Sequence, residues 1–209
     1  MRTYSWFVHL DIRSYFPSIH PEVVFGPLTR FVEDDRLLAL VKDILERGRG
    51  LYDSACARSH ARLSADWPPL GIGLPTGAAT SQVFAAHLVL QRLDHRIKRE
   101  LRVPGYLRYV DDFFLFGRAR CELESWREEI WRYLELRLAL RLKNPQTRVR
   151  SCRGTLDGLG IRITPAGLEP LPRSWRRHSA RVGAYVRGGH GPSKLERSLS
   201  GAAGLLYFS

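Results

Sequence analysis

The sequence has few cysteines and no long apolar run, and each shortage excludes a class of protein. The three cysteines, Cys56, Cys121 and Cys152, are too few and too scattered for a disulfide framework or a zinc site, so we expect a reducing, cytoplasmic setting. The apolar runs, such as residues 37–41 and 113–116, are far shorter than the ~20 residues that span a bilayer. The N-terminus lacks the hydrophobic stretch of a secretory signal. The sequence therefore predicts no membrane association.

Acidic residues are also scarce relative to basic ones. The 21 Asp and Glu residues against 33 Lys and Arg residues give a formal net charge of +12. Only four of the basic residues are lysine, and arginine grips phosphate through a bidentate fork. This surplus favours a polyanionic partner, with nucleic acid ahead of an acidic membrane surface, although a solvated basic surface is the plain alternative. A hydrophobic content of 44% over 209 residues predicts one or two globular domains.

The hydrophobic pattern predicts elements in the order β, α, α, loop, α, β, β, α, β, β. The predicted strands are 4–12, 106–110, 113–116, 148–152 and 159–163, and the predicted helices are 21–31, 34–46, 80–101 and 120–142. We expect Thr80 or Ser81 to cap the third helix, whose apolar stripe is Phe84, Leu88, Leu93, Ile97 and Leu101. The order favours an α+β fold with a split βαβ, ferredoxin-like antiparallel sheet backed by helices on one face.

Three acidic residues are candidates for chemistry. Asp11 ends the first strand, and Asp111 and Asp112 separate two short β runs with the spacing of a hairpin. If those strands are neighbours, the carboxylates converge and repel unless a cation or a proton lies between them. Hard oxygen ligands select Mg²⁺ or Mn²⁺, and a pair of such ions is the usual device for phosphoryl transfer. The common alternative is a solvent-facing turn that happens to carry two acids.

Four segments in order resemble the motifs of reverse transcriptases. Residues 109–112 (YVDD) resemble the YxDD box, and residues 10–19 (LDIRSYFPSI) the acidic motif that precedes it. Residues 73–82 (GLPTGAATSQ) resemble the Gly-rich motif between them, and residues 158–163 the later primer-grip motif. YxDD alone is a weak signal, whereas the ordered set is specific. The resemblance extends to prokaryotic retroelement enzymes of the group II intron, retron and diversity-generating types, and Ser81-Gln82 favours the last.

The resemblance implies an RNA-directed DNA polymerase palm that uses two Mg²⁺ ions, with Mn²⁺ as a substitute. It implies catalytic roles for Asp11, Asp111 and Asp112, with the Ile12 carbonyl as a further metal ligand. It also implies nucleotide-binding residues Phe16 (the steric gate against ribose), Pro75, Thr76, Gly77 and Gln82, and a primer grip at Gly158, Leu159 and Gly160. Arg173, Arg176 and Arg177 would bind nucleic acid. From the pattern alone, Phe16 is equally well explained as a core aromatic residue.

The expected partners are an RNA template, a DNA primer and deoxynucleoside triphosphates. The expected palm covers residues 1–170, with a surface insertion over 47–70, and residues 171–209 would form the basic start of a partial helical thumb or a tail. A polymerase that copies RNA into RNA is a weaker interpretation, because Phe16 disfavours ribonucleotides.

The sequence departs from the family pattern before its first acidic motif and at Thr76, Gln146 and Gly158, the last of which stands where Phe is usual. Only ten residues precede Asp11, whereas the resembling enzymes carry there a fingers region that holds the triphosphate. We therefore expect that a partner chain or a second copy supplies it, or that this chain is a nucleic-acid-binding or assembly subunit, inactive alone. Thr76 replaces a common Gln. Gln146 stands where a Lys near the leaving pyrophosphate is expected, with Lys143 as the candidate substitute.

An arginine-rich loop offers another candidate phosphate site. It carries Arg47, Arg49, Arg58 and Arg62. A solvated basic loop is the favoured interpretation of this segment.

Overall fold

The structure, a computed structural model, describes residues 4–76, 78–164 and 166–188. The chain divides into two compact units, residues 1–150 and residues 151 onward. The palm predicted to end at residue 170 and the thumb or tail predicted from residue 171 stay predictions, because a compact unit is not by itself a functional domain.

A four-stranded sheet forms the centre of the first unit, in the order β2-β3-β1-β4. Its strands are β1 (Trp6–Asp11), β2 (Gly105–Tyr109), β3 (Asp112–Gly117) and β4 (Arg150–Ser151). Strand β3 pairs antiparallel with both β1 and β2. Helices fill the connection from β1 to β2 and the connection from β3 to β4. This is the split βαβ arrangement, so the fold class predicted from the sequence is confirmed.

Among the described residues, the first connection carries six α-helices and the second carries one long α-helix. They are α1 (Tyr15–Ser18), α2 (Pro21–Leu28), α3 (Asp35–Arg47), α4 (Ala55–His60), α5 (Ala79–Phe84), α6 (Gln91–His95) and α7 (Arg120–Leu138). Helix α3 begins where its sequence predicts, because the Asp34 side chain accepts hydrogen bonds from the amides of Arg36 and Leu37. Helix α7 ends at Ala139, whose left-handed backbone (φ 51°) terminates it earlier than predicted.

The predicted helix over residues 80–101 is interrupted twice. Five-residue π-helical segments, Ala85–Val89 and Arg96–Glu100, follow α5 and α6. A π turn shifts the buried stripe around the helix, so Ala85 and Val89 are buried while the predicted Phe84 and Leu88 are only half-buried. The predicted cap at Thr80 or Ser81 is wrong. Residue 78, an alanine without a capping side chain, occupies that position.

The helices pack on one face of the sheet. Val8 and Leu10 of β1, with Phe113 and Leu115 of β3, lie in the core with the buried residues of α6 and α7. Burial of each such side chain contributes about 1.5–3 kcal/mol to stability. Because side chains alternate across a strand, the residues next to these in sequence point to the opposite face. That opposite face therefore carries Asp11 and Asp112.

Residues 47–70, predicted as a surface insertion, contain two buried aromatic anchors, Tyr52 and Trp67. The Trp67 indole donates a hydrogen bond to the carbonyl of Arg13 (3.4 Å), and the Arg141 guanidinium lies 4.3 Å from the centre of its ring. Arg58 donates to the carbonyls of Ser64 and Pro68. The segment thus packs against the chain that follows Asp11.

The second unit has a three-stranded antiparallel sheet, β5 (Leu156–Gly158), β6 (Ile161–Thr164) and β7 (Gly167–Pro170), followed by helix α8 (Pro172–Val186). The prediction of one strand over 159–163 is wrong at its start. Leu159 and Gly160 both have positive φ (52° and 86°), which is the pattern of a tight hairpin turn, so β5 and β6 meet there.

None of the helices in the described part of the chain is both long enough and apolar enough to cross a bilayer.

Candidate active site

The three predicted acids converge at one end of the central sheet. Asp11, the last residue of β1, lies directly opposite Asp112, the first residue of β3. Residues opposite one another in an antiparallel pair have Cβ atoms about 4.5–5.5 Å apart. Asp111 precedes Asp112 in the hairpin turn. The fold therefore brings these carboxylates together, and their catalytic role stays a prediction.

The hairpin turn lies one residue earlier than the sequence predicted. Tyr109 pairs with Asp112, so Val110 and Asp111 form the turn and Asp112 belongs to the strand. Val110 has a left-handed backbone (φ 55°), which costs a β-branched residue about 1–2 kcal/mol. Backbone strain of this kind persists where the surroundings over-determine it.

Arg108 stabilises that turn through hydrogen bonds of its side chain. Its guanidinium donates hydrogen bonds to the carbonyls of Val110 and Ala86, each at 3.0 Å. Its Nε also lies 2.7 Å from Oδ1 of Asp94 on α6, which accepts a further hydrogen bond from the Tyr106 hydroxyl at 2.6 Å. This network connects the acid-bearing turn to the helical layer. Neither Arg108 nor Asp94 was predicted from the sequence.

Asp111 carries the clearest electrostatic signature of the site. The pKa of its carboxyl group is raised to about 6, mainly by burial and in addition by the neighbouring carboxylates of Asp11 and Asp112. The Lys143 ammonium acts in the opposite direction. The carboxylates therefore repel one another, which a bound cation would relieve.

Two basic side chains already contact the acids. Lys143 Nζ lies 2.8 Å from Asp11 Oδ2, and this hydrogen bond raises the pKa of the lysine. His9 Nε2 lies 2.7 Å from Asp112 Oδ1, and the imidazole stacks on the Phe114 ring at 4.4 Å with an interplanar angle of 6°. His9 was missed, although its place two residues before Asp11 puts it on the same face of β1.

The chemistry of these donors fits a divalent cation, but their arrangement is not ready for one. Carboxylate oxygens are the ligands that Mg²⁺ prefers. Across residues 4–76, 78–164 and 166–188, however, no three His, Cys, Asp or Glu residues form a group that could hold a metal ion. Lys143 and His9 occupy oxygens of Asp11 and Asp112 instead. The Ile12 amide donates to the Asp111 carbonyl at 3.3 Å, which connects the turn to the end of β1.

The Gly-rich loop is fixed to the segment that follows Asp11. The amides of Gly73 and Leu74 donate to the carbonyls of Ile19 (3.0 Å) and Phe16 (2.8 Å). Gly73 has a φ of 115°, and a Cβ atom there would lie 2.9 Å from the Pro17 carbonyl oxygen. Only glycine fits this close approach. The loop and the predicted steric gate are therefore neighbours.

Tyr52 holds the tip of that loop. Its buried hydroxyl donates to the Leu74 carbonyl at 3.0 Å and accepts from the Thr76 amide at 3.0 Å, and the Thr76 hydroxyl lies 2.8 Å away. Its position 24 residues before Thr76 gave no sequence signal for this contact. Tyr52 thus positions a predicted nucleotide-binding residue.

The remaining members of the predicted nucleotide-binding set vary in exposure. Phe16 and Pro75 are half-buried, whereas Thr76 and Gln82 are exposed. Gly77 lies outside the described residues. The half-buried Phe16 ring lies 5.6 Å from the ring of Tyr15. A half-buried Phe16 remains compatible with both interpretations given above, a steric gate and a core aromatic.

The predicted primer grip and the predicted nucleic-acid-binding arginines lie in the second unit. Gly158 is the last residue of β5, and Leu159 and Gly160 form the hairpin turn to β6. Arg176 and Arg177 are exposed on α8 beside Trp175, whose side chain is also exposed. The Arg173 side chain lies outside the described part of the chain. This basic, aromatic helix surface is typical of a nucleic-acid interface.

The candidate phosphate loop of four arginines is largely occupied by internal contacts. Arg47 pairs with Asp43, and Arg49 pairs with Glu22 and Glu46. Arg58 donates to backbone carbonyls. These contacts favour a structural role for the three arginines.

Comparison with known proteins gives a fold but no sequence family. No family model matches the chain, and no curated protein matches it by sequence. Two structures of apo telomerase from Candida tropicalis, one truncated from the C-terminal domain, superpose with TM-scores of 0.56 and 0.58 at 11% and 10% identity, each over 79% of this chain. Telomerase from Candida albicans in complex with a TWJ fragment of telomeric RNA gives 0.50 at 15% identity over 80%. The chain has a reverse-transcriptase-like fold.

This chain matches only a part of each telomerase. The matched region covers 35%, 32% and 30% of the three telomerase chains. In the reverse-transcriptase-like fold, the antiparallel sheet backed by helices is the palm. The acids described above lie on the face of that sheet opposite the helical layer.

Proposed function

We propose that this chain is the palm of an RNA-directed DNA polymerase, which transfers deoxynucleotides to a primer 3′ end. The observation that carries the proposal is the placement of Asp11 opposite Asp112, with Asp111 in the adjoining turn, on a sheet of reverse-transcriptase-like fold. The net charge of +12 supports a nucleic acid substrate. The RNA in the Candida albicans telomerase complex supports it further by analogy.

Asp11, Asp111 and Asp112, with the Ile12 carbonyl, would hold the Mg²⁺ ions. When bound, such ions activate the primer hydroxyl and stabilise the leaving pyrophosphate. Before binding, Lys143 and His9 hold the carboxylates of Asp11 and Asp112 in defined orientations. In this proposal the Lys143 ammonium, which contacts Asp11, would also contribute positive charge beside the triphosphate.

The Gly-rich loop and Phe16 would receive the nucleotide. Pro75, Thr76, Gly77 and Gln82 line the nascent base pair in this proposal, and the Phe16 ring leaves no room for a 2′-hydroxyl. The loop is preorganised for this task by Tyr52 and by the hydrogen bond from the Leu74 amide to the Phe16 carbonyl. Preorganised contacts reduce the cost of ordering on binding.

The proposed partners follow from the same assignment. An RNA template and a DNA primer would be held by backbone contacts from Arg173, Arg176 and Arg177 and by the turn at Gly158, Leu159 and Gly160. We propose that the polymerase belongs to a prokaryotic retroelement, and the Ser81-Gln82 pair of this chain favours the diversity-generating type. A fingers region from another chain or a second copy would complete the triphosphate site.

Primer extension tests the proposal. The full chain, with Mg²⁺ and deoxynucleotides, is compared with Asp111→Ala on an RNA template and on a DNA template of the same sequence. We expect extension by the native chain and a loss of at least ~100-fold in the variant, because a metal ligand is removed. The matched control is Asp35→Ala, which removes an exposed acid on α3. Equal incorporation by native chain and Asp111→Ala would refute the assignment.

A second candidate function is a nucleic-acid-binding or assembly subunit that is inactive without partner chains. It is favoured by one observation: the described residues form no ready metal-holding group, since Lys143 and His9 engage two of the acids. Binding of primer–template without incorporation, followed by synthesis when a fingers-bearing partner is added, would select this function over the first.

A further inference from the structure

A second basic surface lies on the helical layer, away from the acids. A cleft of about 240 Å³ opens between the segment after α2 and helix α6, and its walls include Arg30, Phe31, Leu88, Arg92 and His95. On α6, Leu93 is fully buried in the core, and His95 lies two residues further on, about 200° around the helix. The cleft therefore opens on the outer side of the helical layer, whereas the acids lie on the opposite face of the sheet.

The two arginines of the cleft are not engaged in ion pairs with the described residues. In the described part of the chain, the side chains of Arg30 and Arg92 form no ion pair, in contrast to Arg49 and Arg96 of the same layer. No acidic side chain lines the cleft. Two guanidinium groups that line the same cleft attract an anion, and the planar donor geometry of each group matches phosphate.

An exposed aromatic ring stands beside these cations. Phe31 is 68% exposed, and it lines the cleft together with the apolar side chains of Pro27 and Leu88. A phenylalanine this exposed next to arginine is the combination on which single-stranded nucleic acids bind: the base stacks on the ring and the backbone lies along the positive groove. An acidic polypeptide would satisfy the arginines but offers no planar face for Phe31.

The size of the cleft decides between an enclosed small molecule and a passing strand. Small-molecule pockets usually measure about 300–1,000 Å³ and bury most of their ligand. At about 240 Å³ and open to solvent, this cleft is smaller than that range. It can seat one base and its flanking phosphates while the rest of a strand continues over the surface.

We propose that the cleft binds single-stranded nucleic acid, with a base stacked on Phe31 and phosphates on Arg30 and Arg92. This site goes beyond the proposed function, because a strand held there lies on the opposite layer from Asp11, Asp111 and Asp112. It would retain a part of the template or of an associated RNA that takes no part in the reaction.

The first test measures binding of a fluorescently labelled 12-nucleotide oligo(U) to the full chain by anisotropy, over a series of salt concentrations. Arg30→Gln/Arg92→Gln should reduce the slope of log affinity against log salt by about 1.4, since each phosphate contact on a single strand contributes about 0.7. The matched control, Arg118→Gln/Arg137→Gln, removes two exposed arginines elsewhere and should leave the slope unchanged. Oligo(dT) in place of oligo(U) distinguishes DNA from RNA.

The second test concerns the aromatic ring. Phe31→Ala should weaken binding by about 5- to 150-fold at constant salt slope, because it removes a stacking platform and no charge. Leu136→Ala, at an exposed apolar residue of α7, is its control and should have no effect. Circular dichroism checks that every variant is folded.

Photo-crosslinking shows where on the protein the RNA lies. Affinity alone does not show this, because other basic surfaces of the chain can also bind RNA. An RNA with a single 4-thiouridine should give adducts in the tryptic peptide of residues 31–36, and Asp111→Ala should give the same adducts because it leaves the cleft intact. Absence of adducts there, or an equal salt slope in the cleft variant and its control, would overturn the proposal. Displacement of oligo(U) by poly-glutamate together with unchanged binding by Phe31→Ala would identify an acidic polypeptide site instead.

Discussion

Lys143 contacts Asp11 through both its side chain and its backbone: its ammonium Nζ lies 2.8 Å from Asp11 Oδ2, and its amide donates to the Asp11 carbonyl at 2.8 Å. The backbone contact aligns the chain after α7 beside β1. It is continued by the hydrogen bond from the Arg13 amide to the Arg141 carbonyl, also at 2.8 Å. These backbone hydrogen bonds therefore fix the position of Lys143. Its ammonium contacts a carboxylate oxygen of Asp11 that would bind a divalent ion in the proposed function.

Removing the lysine side chain should strengthen metal binding. In Lys143→Met the ammonium no longer competes for Asp11 Oδ2, while the backbone contact remains. Because Lys143 is largely exposed, the pair contributes only about 0.2–1 kcal/mol, and we expect a gain of up to about 5-fold in Mg²⁺ affinity by calorimetry. Lys42→Met on the exposed side of α3 is the control. A weaker Mg²⁺ affinity in Lys143→Met would mean that the lysine supports the metal site.

The stability of the chain should depend on the ionisation of Asp111. Its folded-state pKa of about 6 lies above the usual value for an unfolded aspartate, so the folded state binds more protons between about pH 4 and 6. Stability from this group is therefore present below about pH 4 and is lost as the pH rises through 6. Solvent screening reduces the effect to about 1 kcal/mol.

Asp111→Asn tests this dependence, because the amide carries no charge at any of these pH values. The melting temperature of the variant relative to the native chain should rise between pH 4 and 6 and level off above pH 6. Asp35→Asn, on the exposed surface, should show no such trend. A native-to-variant difference that is flat over this range would contradict the assignment of a raised pKa to Asp111.

The Arg108–Asp94 pair should be a structural support of the acid-bearing turn. Arg108→Met leaves Asp94 without its cation and removes the donor to the Val110 carbonyl, which we expect to cost about 2–4 kcal/mol in the free energy of unfolding. Urea denaturation measures it. Arg120→Met, which breaks the exposed pair with Glu124, should cost under about 0.5 kcal/mol.

A double variant separates the pair from its neighbours. If the cost arises from an unpaired Asp94, then Asp94→Asn in the Arg108→Met background should recover part of it, giving a coupling energy of about 1 kcal/mol or more. Strict additivity of the two single changes would show that Arg108 acts through the turn alone.

Tyr52→Phe should affect nucleotide use more than folding. The change removes one hydroxyl that serves the Leu74 carbonyl and the Thr76 amide, at a cost of about 1–2 kcal/mol in stability. If Thr76 contacts the nucleotide as proposed, KM for deoxynucleotides should rise several-fold with a smaller change in kcat. Tyr133→Phe, whose ring lies under Arg96, is the matched control. An unchanged KM in Tyr52→Phe would separate the loop from nucleotide binding.

The sheet and the convergence of the acids were accessible from sequence because they depend on local patterns. Apolar and polar residues alternate in β1, and two short β runs flank Asp111, so the ends of these strands can be recognised in the sequence. The order of helices and strands then restricts the possible sheet topologies. Val110 in the turn was not predictable, since a β-branched residue with positive φ contradicts local preference and is held by Arg108 from outside the turn.

Contacts between distant residues account for what the sequence did not reveal. Tyr52 contacts Thr76, and Asp94 contacts Arg108. The two residues of each pair belong to different segments of the chain, so no helical or strand periodicity in the sequence indicates the contact. The π turns after α5 and α6 shift the buried positions in a way that a 3.6-residue pattern does not describe. The strand Gly167–Pro170 was missed because glycine and proline at its ends are typical of loops.

The proposed function requires that Asp11, Asp111 and Asp112 share divalent ions. The most direct measurement is the anomalous scattering of Mn²⁺ in crystals of the full chain with primer–template. We expect a manganese peak about 2 Å from carboxylate oxygens of Asp11, Asp111 and Asp112, with Lys143 displaced from Asp11. Ordered carboxylates that keep Lys143 and His9 as partners, with manganese bound only elsewhere, would contradict it.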